Sequence, residues 1–280
     1  MVLHCGSYRL ALQRPLIMGV VNVTPDSFSD GGRYASQQDA VRHARALIAE
    51  GADILDIGGE STRPGAAAVS IDEERRRVLG VIKELAGCGV PISVDTRKPE
   101  LMGEAIAAGA SFINDISALE EPGALELIAQ STVAVCLMHK QGEPQNMQQS
   151  PHYDDVVQEV RSYLAARVDA AEGAGIARER IVIDPGFGFG KTYDHNLALV
   201  RALPLLATLG VPVLAGLSRK AMLGRITGRT AGERVHASVA AALFAAARGA
   251  RILRVHDVLA TREALAVWCA LAGTMTISGK

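Results

Sequence analysis

The 280-residue chain is 49% hydrophobic and 21% charged, which supplies a large core and excludes a disordered composition. Its 29 Lys and Arg stand against 30 Asp and Glu, a net charge of -1. That balance excludes a broad electrostatic attraction to nucleic acid or to a membrane surface, so any anion site must be local.

The first 22 residues, MVLHCGSYRLALQRPLIMGVVN, are broken by Gln13, Arg14 and Pro15, unlike the apolar run of a secretory signal. No stretch reaches the roughly 18 uninterrupted apolar residues of a membrane-spanning helix. Cys5, Cys88, Cys136 and Cys269 lie far apart without metal-ligand spacing, as free thiols of a reducing compartment do. The expectation is a cytoplasmic protein with neither membrane nor nucleic acid as partner.

Along the chain, short runs rich in Val and Ile recur at "LIMGVVN", "DILDIG", "PISVD", "SFINDI", "VAVCLMH", "IVIDP", "PVLAG" and "RILRVH". Amphipathic, Ala-rich segments such as "QQDAVRHARALIAEGA" lie between most of them. Continuous apolar runs suit strands buried on both faces of a parallel sheet, and the intervening periodicity suits crossover helices. Gly51, Gly89, Gly109, Gly175, Gly210 and Gly249 stand where those helices would end.

About eight strand–helix units predict an α/β protein of the (β/α)8 TIM-barrel class, a single domain over 1–280. The competing architecture, a doubly wound open sheet, would gather its polar residues near one switch point. Here each run closes on its own polar side chains: Asn22, Asp56, Asp95, Asn114 with Asp115, His139, Asp184, Ser218 and His256. A full circle of polar strand ends favours the barrel, with its site at the C-terminal mouth of the strands. The Gln-rich "KQGEPQNMQQSPHYDD" reads as a surface loop after the fifth strand.

The stretch "DPGFGFGKTYDHN" looks at first like a nucleotide-binding P-loop. The position that needs the leading glycine is Pro185, and the dinucleotide spacing G-x-G-x-x-G fails as well. The prediction is instead a turn in which Gly186, Gly188 and Gly190 take positive φ, with Thr192 or Asp194 capping the next helix.

Asp95, Asn114 and Asp184 would be partly desolvated at strand ends. Carboxylates that accept two hydrogen bonds, beside an amide that both donates and accepts, suit the edge of a flat heterocycle such as a 2-amino-4-oxo-pyrimidine. Lys220 offers a donor to the ring. In "RILRVHDV", Arg254 and His256 alternate with apolar residues and so face one way, an anion site on the last strand. "NVTPDSFSDGGRY" and "GGESTRPGAAAVS" are long βα loops and candidate lids.

The stretches "MGVVNVTPDSFSDGG", "DILDIGGESTRPGA", "ISVDTRKPE", "INDIS", "LMHKQGEPQNMQ", "DPGFGFGKTYDHNL", "GLSRKAMLG" and "LRVHDV" together resemble the dihydropteroate synthases. The eight motifs occur in order across about residues 16–270. The resemblance implies a homodimeric barrel of folate biosynthesis that joins 6-hydroxymethyl-7,8-dihydropterin diphosphate to p-aminobenzoate. It places the pterin against Asp95, Asn114, Asp184 and Lys220, with Met138 and Gly216 nearby. It assigns the diphosphate to Arg254 and His256, with Mg2+ held by Asn22. It gives p-aminobenzoate to Thr62, Arg63, Pro64 and Ser218, walled by Phe28 and Phe189. Asp30 would order the closed site, and Asp56 would act as a conformational and electrostatic partner near the reacting carbon.

On that reading Asp184→Ala loses pterin binding, whereas Arg254→Ala weakens diphosphate binding and leaves affinity for the bare pterin nearly intact. Lys140, where the family commonly has an apolar residue, is expected as a surface change. The nearest alternative, the methyltetrahydrofolate-dependent corrinoid methyltransferases, shares the barrel and the Asp/Asn pocket. The two long loops and "RVHDV" favour diphosphate chemistry. A non-enzymatic pterin scaffold is opposed by Lys220 and the same loops.

Overall fold

The computed structural model describes residues 1–23, 32–61, 69–143 and 145–273, with only the backbone at 32–36. Eight parallel strands close into a barrel: β3 (Leu16–Asn22), β4 (Ile54–Gly58), β5 (Ile92–Asp95), β6 (Phe112–Asp115), β7 (Ala134–Met138), β8 (Ile181–Asp184), β9 (Val213–Ala215) and β10 (Ala250–Val255). They pair in chain order, and β10 closes on β3. All eight apolar runs are strands, and the open-sheet alternative is excluded.

The crossover helices are α1 (Gly32–Glu50), α2 (Ile71–Leu85), α3 (Pro99–Ala108), α4 (Ala124–Ala129), α5 (Val156–Gly173), α6 (Tyr193–Arg201), α7 (Leu203–Ala207), α8 (Ala221–Thr227), α9 (Val235–Ala247) and α10 (Val258–Leu271). The six glycines predicted at helix ends all have positive φ; Gly109 caps α3 at 117°.

Strand alternation divides the core in two. Ile17, Val21, Leu55, Ile57, Val94, Ile113, Leu137, Ile183 and Leu253 face outward into the layer beneath the helices. Leu16, Met18, Ile54, Phe112, Ala134, Cys136, Val182, Leu214 and Ile252 face inward and fill the lower barrel. This interior is packed rather than open, as in other barrels of eight strands.

The base of the barrel is sealed by an element absent from the sequence reading. β1 (Val2–Cys5) and β2 (Tyr8–Ala11) form an antiparallel hairpin around Gly6 and Ser7. Leu3, Cys5 and Leu12 are buried with the inward strand residues. The signal was present as an alternation of apolar residues either side of a Gly-Ser turn. The hairpin thus closes the base of the barrel and leaves the opposite end, where the strands terminate, for the polar side chains.

Candidate active site

The same alternation that buries Phe112 and Ile54 inside the barrel brings Asp56, Ser93, Asp95, Asn114, Asp184 and Arg254 inward near the strand ends. It turns Asp115 and His139 the other way. Asp115 follows Asn114 on β6, and its carboxylate accepts the N–H groups of Ser117 (2.7 Å) and Leu119 (2.8 Å). There it holds a turn in which Ala118 and Leu119 have positive φ. The expected polar circle therefore loses these two members; both serve loop structure behind the mouth.

Arg254 organises what remains. Its Nε donates to Asp56 Oδ2 at 2.6 Å and its Nη2 to Asp95 Oδ2 at 2.9 Å. Asp56 is fully buried and also accepts from Ser93 Oγ (2.6 Å) and Asn114 Nδ2 (3.2 Å). Asp184 accepts the Gly186 N–H through Oδ1 at 2.7 Å. Its Oδ2 lies on the side of Gly216, where a β-carbon would stand 3.9 Å away.

Three carboxylates thus share the mouth, two of them in direct contact with one guanidinium. Burial pushes Asp95 up to about 7, with Arg254 opposing the rise and Asp56 adding to it. Burial likewise raises Asp184, against the Gly186 N–H and the charges of Lys220 and Arg254. Burial works against the charge on Arg254, but Asp56 and Asp95 outweigh it and hold the guanidinium above its ordinary value.

The expectation that Arg254 serves the diphosphate alone is therefore incomplete. The same side chain is the counterion of Asp56 and Asp95. Its guanidinium also stands within the mouth, and His256 lies one alternation higher. Val255 between them is buried outward, as the strand period requires.

Ser218 joins β9 to β10 at this level. Its Oγ accepts the His256 N–H (3.2 Å) and lies 3.0 Å from His256 Nδ1. Next to it, Arg219 has φ 59°, a conformation that a bulky residue adopts only when its surroundings enforce it. They do: its N–H donates to Ser238 Oγ (2.9 Å), and its guanidinium pairs with both oxygens of Asp257 (3.1 and 2.6 Å). The kink lies between Ser218 and Lys220. Lys220 Nζ lies 4.3 Å from the centroid of the Phe189 ring. Met138 ends β7 opposite Asp184 in the strand register and is buried. Asn22 ends β3, half-buried, in line with Gly58 and Asp95.

The glycine-rich turn after β8 takes the predicted form. Gly186, Gly188 and Gly190 have φ of 68°, 80° and 61°, and Thr192 caps α6 in a reciprocal capping box with His195. Close approach explains two of the glycines as much as φ does. A β-carbon on Gly186 would overlap the His139 carbonyl, and one on Gly190 would overlap the Gln141 carbonyl.

Gly186→Ala is accordingly expected to cost more than about 2 kcal/mol, combining left-handed strain with overpacking. The loss should appear as a melting temperature several degrees lower by calorimetry. Gly173→Ala, at the end of α5 with open space around it, should hold or slightly raise the melting temperature.

Two lysines escaped the sequence reading. Lys98 Nζ contacts Glu60 Oε2 (2.8 Å), the buried Glu74 Oε2 (2.5 Å) and the Val69 carbonyl (2.6 Å). It thereby joins both flanks of the second long loop to α2. Lys191 is buried beneath the glycine turn. Lys140, expected on the surface, is largely covered and pairs with Glu143 at 2.7 Å. Phe28, Asp30, Thr62, Arg63 and Pro64 lie outside the described residues. Among the described residues no cluster of three His, Cys, Asp or Glu side chains could hold a metal, and all four cysteines are free.

Comparison with known proteins agrees with this geometry. The pterin binding enzyme family matches residues 18–256. The dihydropteroate synthase of Neisseria meningitidis serogroup C is 56% identical over 275 residues, covering 96% of this chain and 97% of its own. A Xanthomonas albilineans dihydropteroate synthase solved with 4-aminobenzoic acid superposes with a TM-score of 0.92 at 55% identity, covering 98% of this chain and 99% of its own. A structure of the enzyme from that organism in complex with 7,8-dihydropteroate gives a TM-score of 0.87 at 49% identity with the same coverage. The barrel, its polar mouth and these full-length similarities lead to one conclusion: the chain belongs to the pterin binding enzymes, among the dihydropteroate synthases.

Proposed function

We propose that the protein is a transferase that condenses 6-hydroxymethyl-7,8-dihydropterin diphosphate with p-aminobenzoate, giving 7,8-dihydropteroate and diphosphate in folate biosynthesis. The observation that carries this reading is the polar layer of Asp56, Asp95, Asn114, Asp184 and Arg254 at the mouth of a plugged barrel. The full-length similarity to an enzyme solved with 7,8-dihydropteroate supports it.

Asp184 Oδ2, Asn114, Asp95 and Lys220 take the edge of the pterin, with Met138 and Gly216 beside it. Arg254 and His256 take the diphosphate. Ser218, with Thr62, Arg63 and Pro64, takes p-aminobenzoate between Phe28 and Phe189, and Asp30 orders the loaded site.

The chemistry follows from the charges. The C–O bond to the diphosphate breaks first, and the bonding pair leaves with oxygen. The positive charge left on the methylene spreads into the electron-rich pterin, where Asp56 and Asp95 stabilise it. Arg254 stabilises the departing diphosphate. The weakly basic aryl amine then forms the C–N bond and loses its proton to solvent. No residue is needed as a dedicated base.

Asn22 offers one neutral amide oxygen. A hard cation such as Mg2+ takes oxygen ligands, retains several waters and uses few protein groups when phosphates complete its shell. Asn22 together with the substrate's diphosphate fits that description. Mg2+ held there would supply charge neutralisation to the leaving group. Calorimetric titration of Mg2+ into the protein alone should show no binding below millimolar concentrations. Binding should appear when inorganic diphosphate is present and weaken about tenfold in Asn22→Ala. Tight binding without diphosphate would show that the metal sits elsewhere.

The protein is a cytoplasmic homodimer on this reading. Ile226, Phe244, Leu259 and Val267 on α8, α9 and α10 are exposed apolar side chains that such an interface would cover. No helix among the described residues is long and apolar enough to cross a membrane. The decisive experiment is a diphosphate-release assay with dihydropterin diphosphate, run with and without p-aminobenzoate. Formation of 7,8-dihydropteroate only in the complete mixture is expected. Its absence would overturn the proposal.

A further inference from the structure

Lys191 takes no part in the chemistry above, yet its side chain is almost wholly buried. Lysine is rarely buried, and the cost of removing its charge from water has to be offset by partners. Its ammonium lies 2.9 Å from His139 Nδ1 and donates to the carbonyls of His139 (3.3 Å) and Phe189 (3.0 Å). Two of its donors meet carbonyls, and the third meets an acceptor in the His139 tautomer that carries its proton on Nε2. The first carbonyl belongs to the segment that follows β7, the second to the glycine turn that follows β8. One cation therefore ties together two neighbouring loops of the mouth.

Its place beneath the turn gives the tie a direction. A β-carbon on Gly186 would stand 3.4 Å from Lys191 Nζ, so the ammonium lies directly under the residue whose N–H holds Asp184 Oδ1. The Phe189 carbonyl that it binds belongs to the residue whose ring lies against Lys220. Both backbone contacts that forbid a side chain at Gly186 and Gly190 are contacts with the same segment after β7. Other ties are present: Tyr153 donates its hydroxyl to the Gly190 carbonyl (2.9 Å), and Asn196 Oδ1 accepts the Gly188 N–H (2.7 Å). Among them Lys191 alone brings a charge to the underside of Asp184. Burial pulls it down to about 7, with Asp184 opposing and Lys220 adding.

We propose that Lys191 is a positioning residue for the pterin pocket: by gathering the carbonyls of His139 and Phe189 it fixes the glycine turn at the depth where Asp184 and Lys220 converge on the ring. The lysine that gives this stretch the look of a phosphate loop is engaged by His139 and Phe189 instead. This inference rests on the reading that Asp184 binds the pterin.

The test compares Lys191→Met, Lys191→Arg and Asp184→Asn for affinity toward bare 6-hydroxymethylpterin and toward inorganic diphosphate. K191M keeps the volume and removes the donors. It should weaken pterin binding at least tenfold while diphosphate affinity stays within threefold of wild type. K191R, which restores charge and donors, should recover pterin affinity to within threefold. Wild-type pterin affinity in a folded K191M protein would overturn the inference, and so would equal losses toward pterin and diphosphate, the mark of general damage. Should K191M fail to fold, Lys191→Gln keeps a donor for one carbonyl and should show an intermediate loss; wild-type pterin affinity there overturns the inference equally. If D184N also binds pterin normally, the pocket assignment itself is wrong and the inference falls with it. Normal binding by K191M beside a disabled D184N removes the role of Lys191 alone.

Discussion

Arg254→Met is expected to lower kcat/KM at least a thousandfold and, unlike a lesion confined to the diphosphate subsite, to weaken binding of the bare pterin as well. The reason is that Arg254 has two clients inside the protein before any substrate arrives. It pairs with Asp56, which is fully buried, and with Asp95, which is nearly so. Removing one partner of a buried ion pair costs about 3–5 kcal/mol, chiefly because the other charge is left uncompensated. Asp56 keeps Ser93 and Asn114 as donors, whereas Asp95 loses its ion pair with Arg254. With Arg254 gone, its carboxyl rises beyond the value near 7 that it has in the intact site, so at neutral pH it becomes a neutral acid. The pocket then offers the pterin an O–H, where the intact site is divided between acid and carboxylate at neutral pH.

Three measurements follow. Bare pterin affinity at pH 7 should fall about tenfold or more in R254M. The residual affinity should improve as pH rises, because the proton is lost above the raised value. The double variant R254M/D56N should recover melting temperature, since a buried uncompensated charge has been removed, without recovering diphosphate affinity. Unchanged pterin affinity in folded R254M would show that the two ion pairs do not shape the pocket.

That prediction differs from the one that the sequence supports, and the difference shows where sequence reading stops. Period-two alternation around Asp56, Asp95, Asn114, Asp184 and Arg254 was legible, and so were the eight strands and the glycines with positive φ. These follow from local rules that each segment obeys alone. The pairing of Arg254 with Asp56 joins residues 198 apart, on β10 and β4, which flank β3 and come within reach only because β10 closes on β3. No spacing within the chain encodes that contact.

Asp115 and His139 failed as mouth residues for a simpler reason. Each sits one position past an inward-facing neighbour, Asn114 or Met138, and a shift of one residue reverses the face. Counting from the inward Phe112 or Cys136 would have found it. The N-terminal hairpin was missed because its two strands of four residues carry weak periodicity, and their burial depends on an open barrel base to fill. Lys191 drew notice only as part of a motif that fails; burial of a lysine is a property of packing, with no sign in its neighbours.

Asp184→Asn carries the other large expected effect. The substitution preserves volume and can preserve the bond from the Gly186 N–H, since an amide oxygen accepts as a carboxylate does. What changes is the second atom. Asp184 Oδ2 faces the Gly216 side of the mouth as an acceptor; in the variant an NH2 group stands there and meets the donors of the pterin's 2-amino-4-oxo edge head on. Hydrogen bonds to a charged group contribute about 1.5–3 kcal/mol each, so losing a pair weakens binding about 10²- to 10⁴-fold. The loss should fall on pterin and on pterin diphosphate alike, with affinity for inorganic diphosphate retained through Arg254 and His256. Stability should not fall with it. Burial raises the carboxyl of Asp184, so the folded state holds its proton more tightly than the unfolded chain does, and the charged form weakens folding at neutral pH. A neutral amide removes that weakness, and D184N should melt at or above the wild-type temperature at pH 8. The wild-type protein offers the complementary test. Pterin binding that needs the carboxylate should decline as pH falls toward the raised value of Asp184, at a higher pH than an ordinary aspartate would give, and the decline should be absent in D184N. A variant that melts low and loses pterin and diphosphate together would make Asp184 a structural residue of the turn and remove it from the pocket.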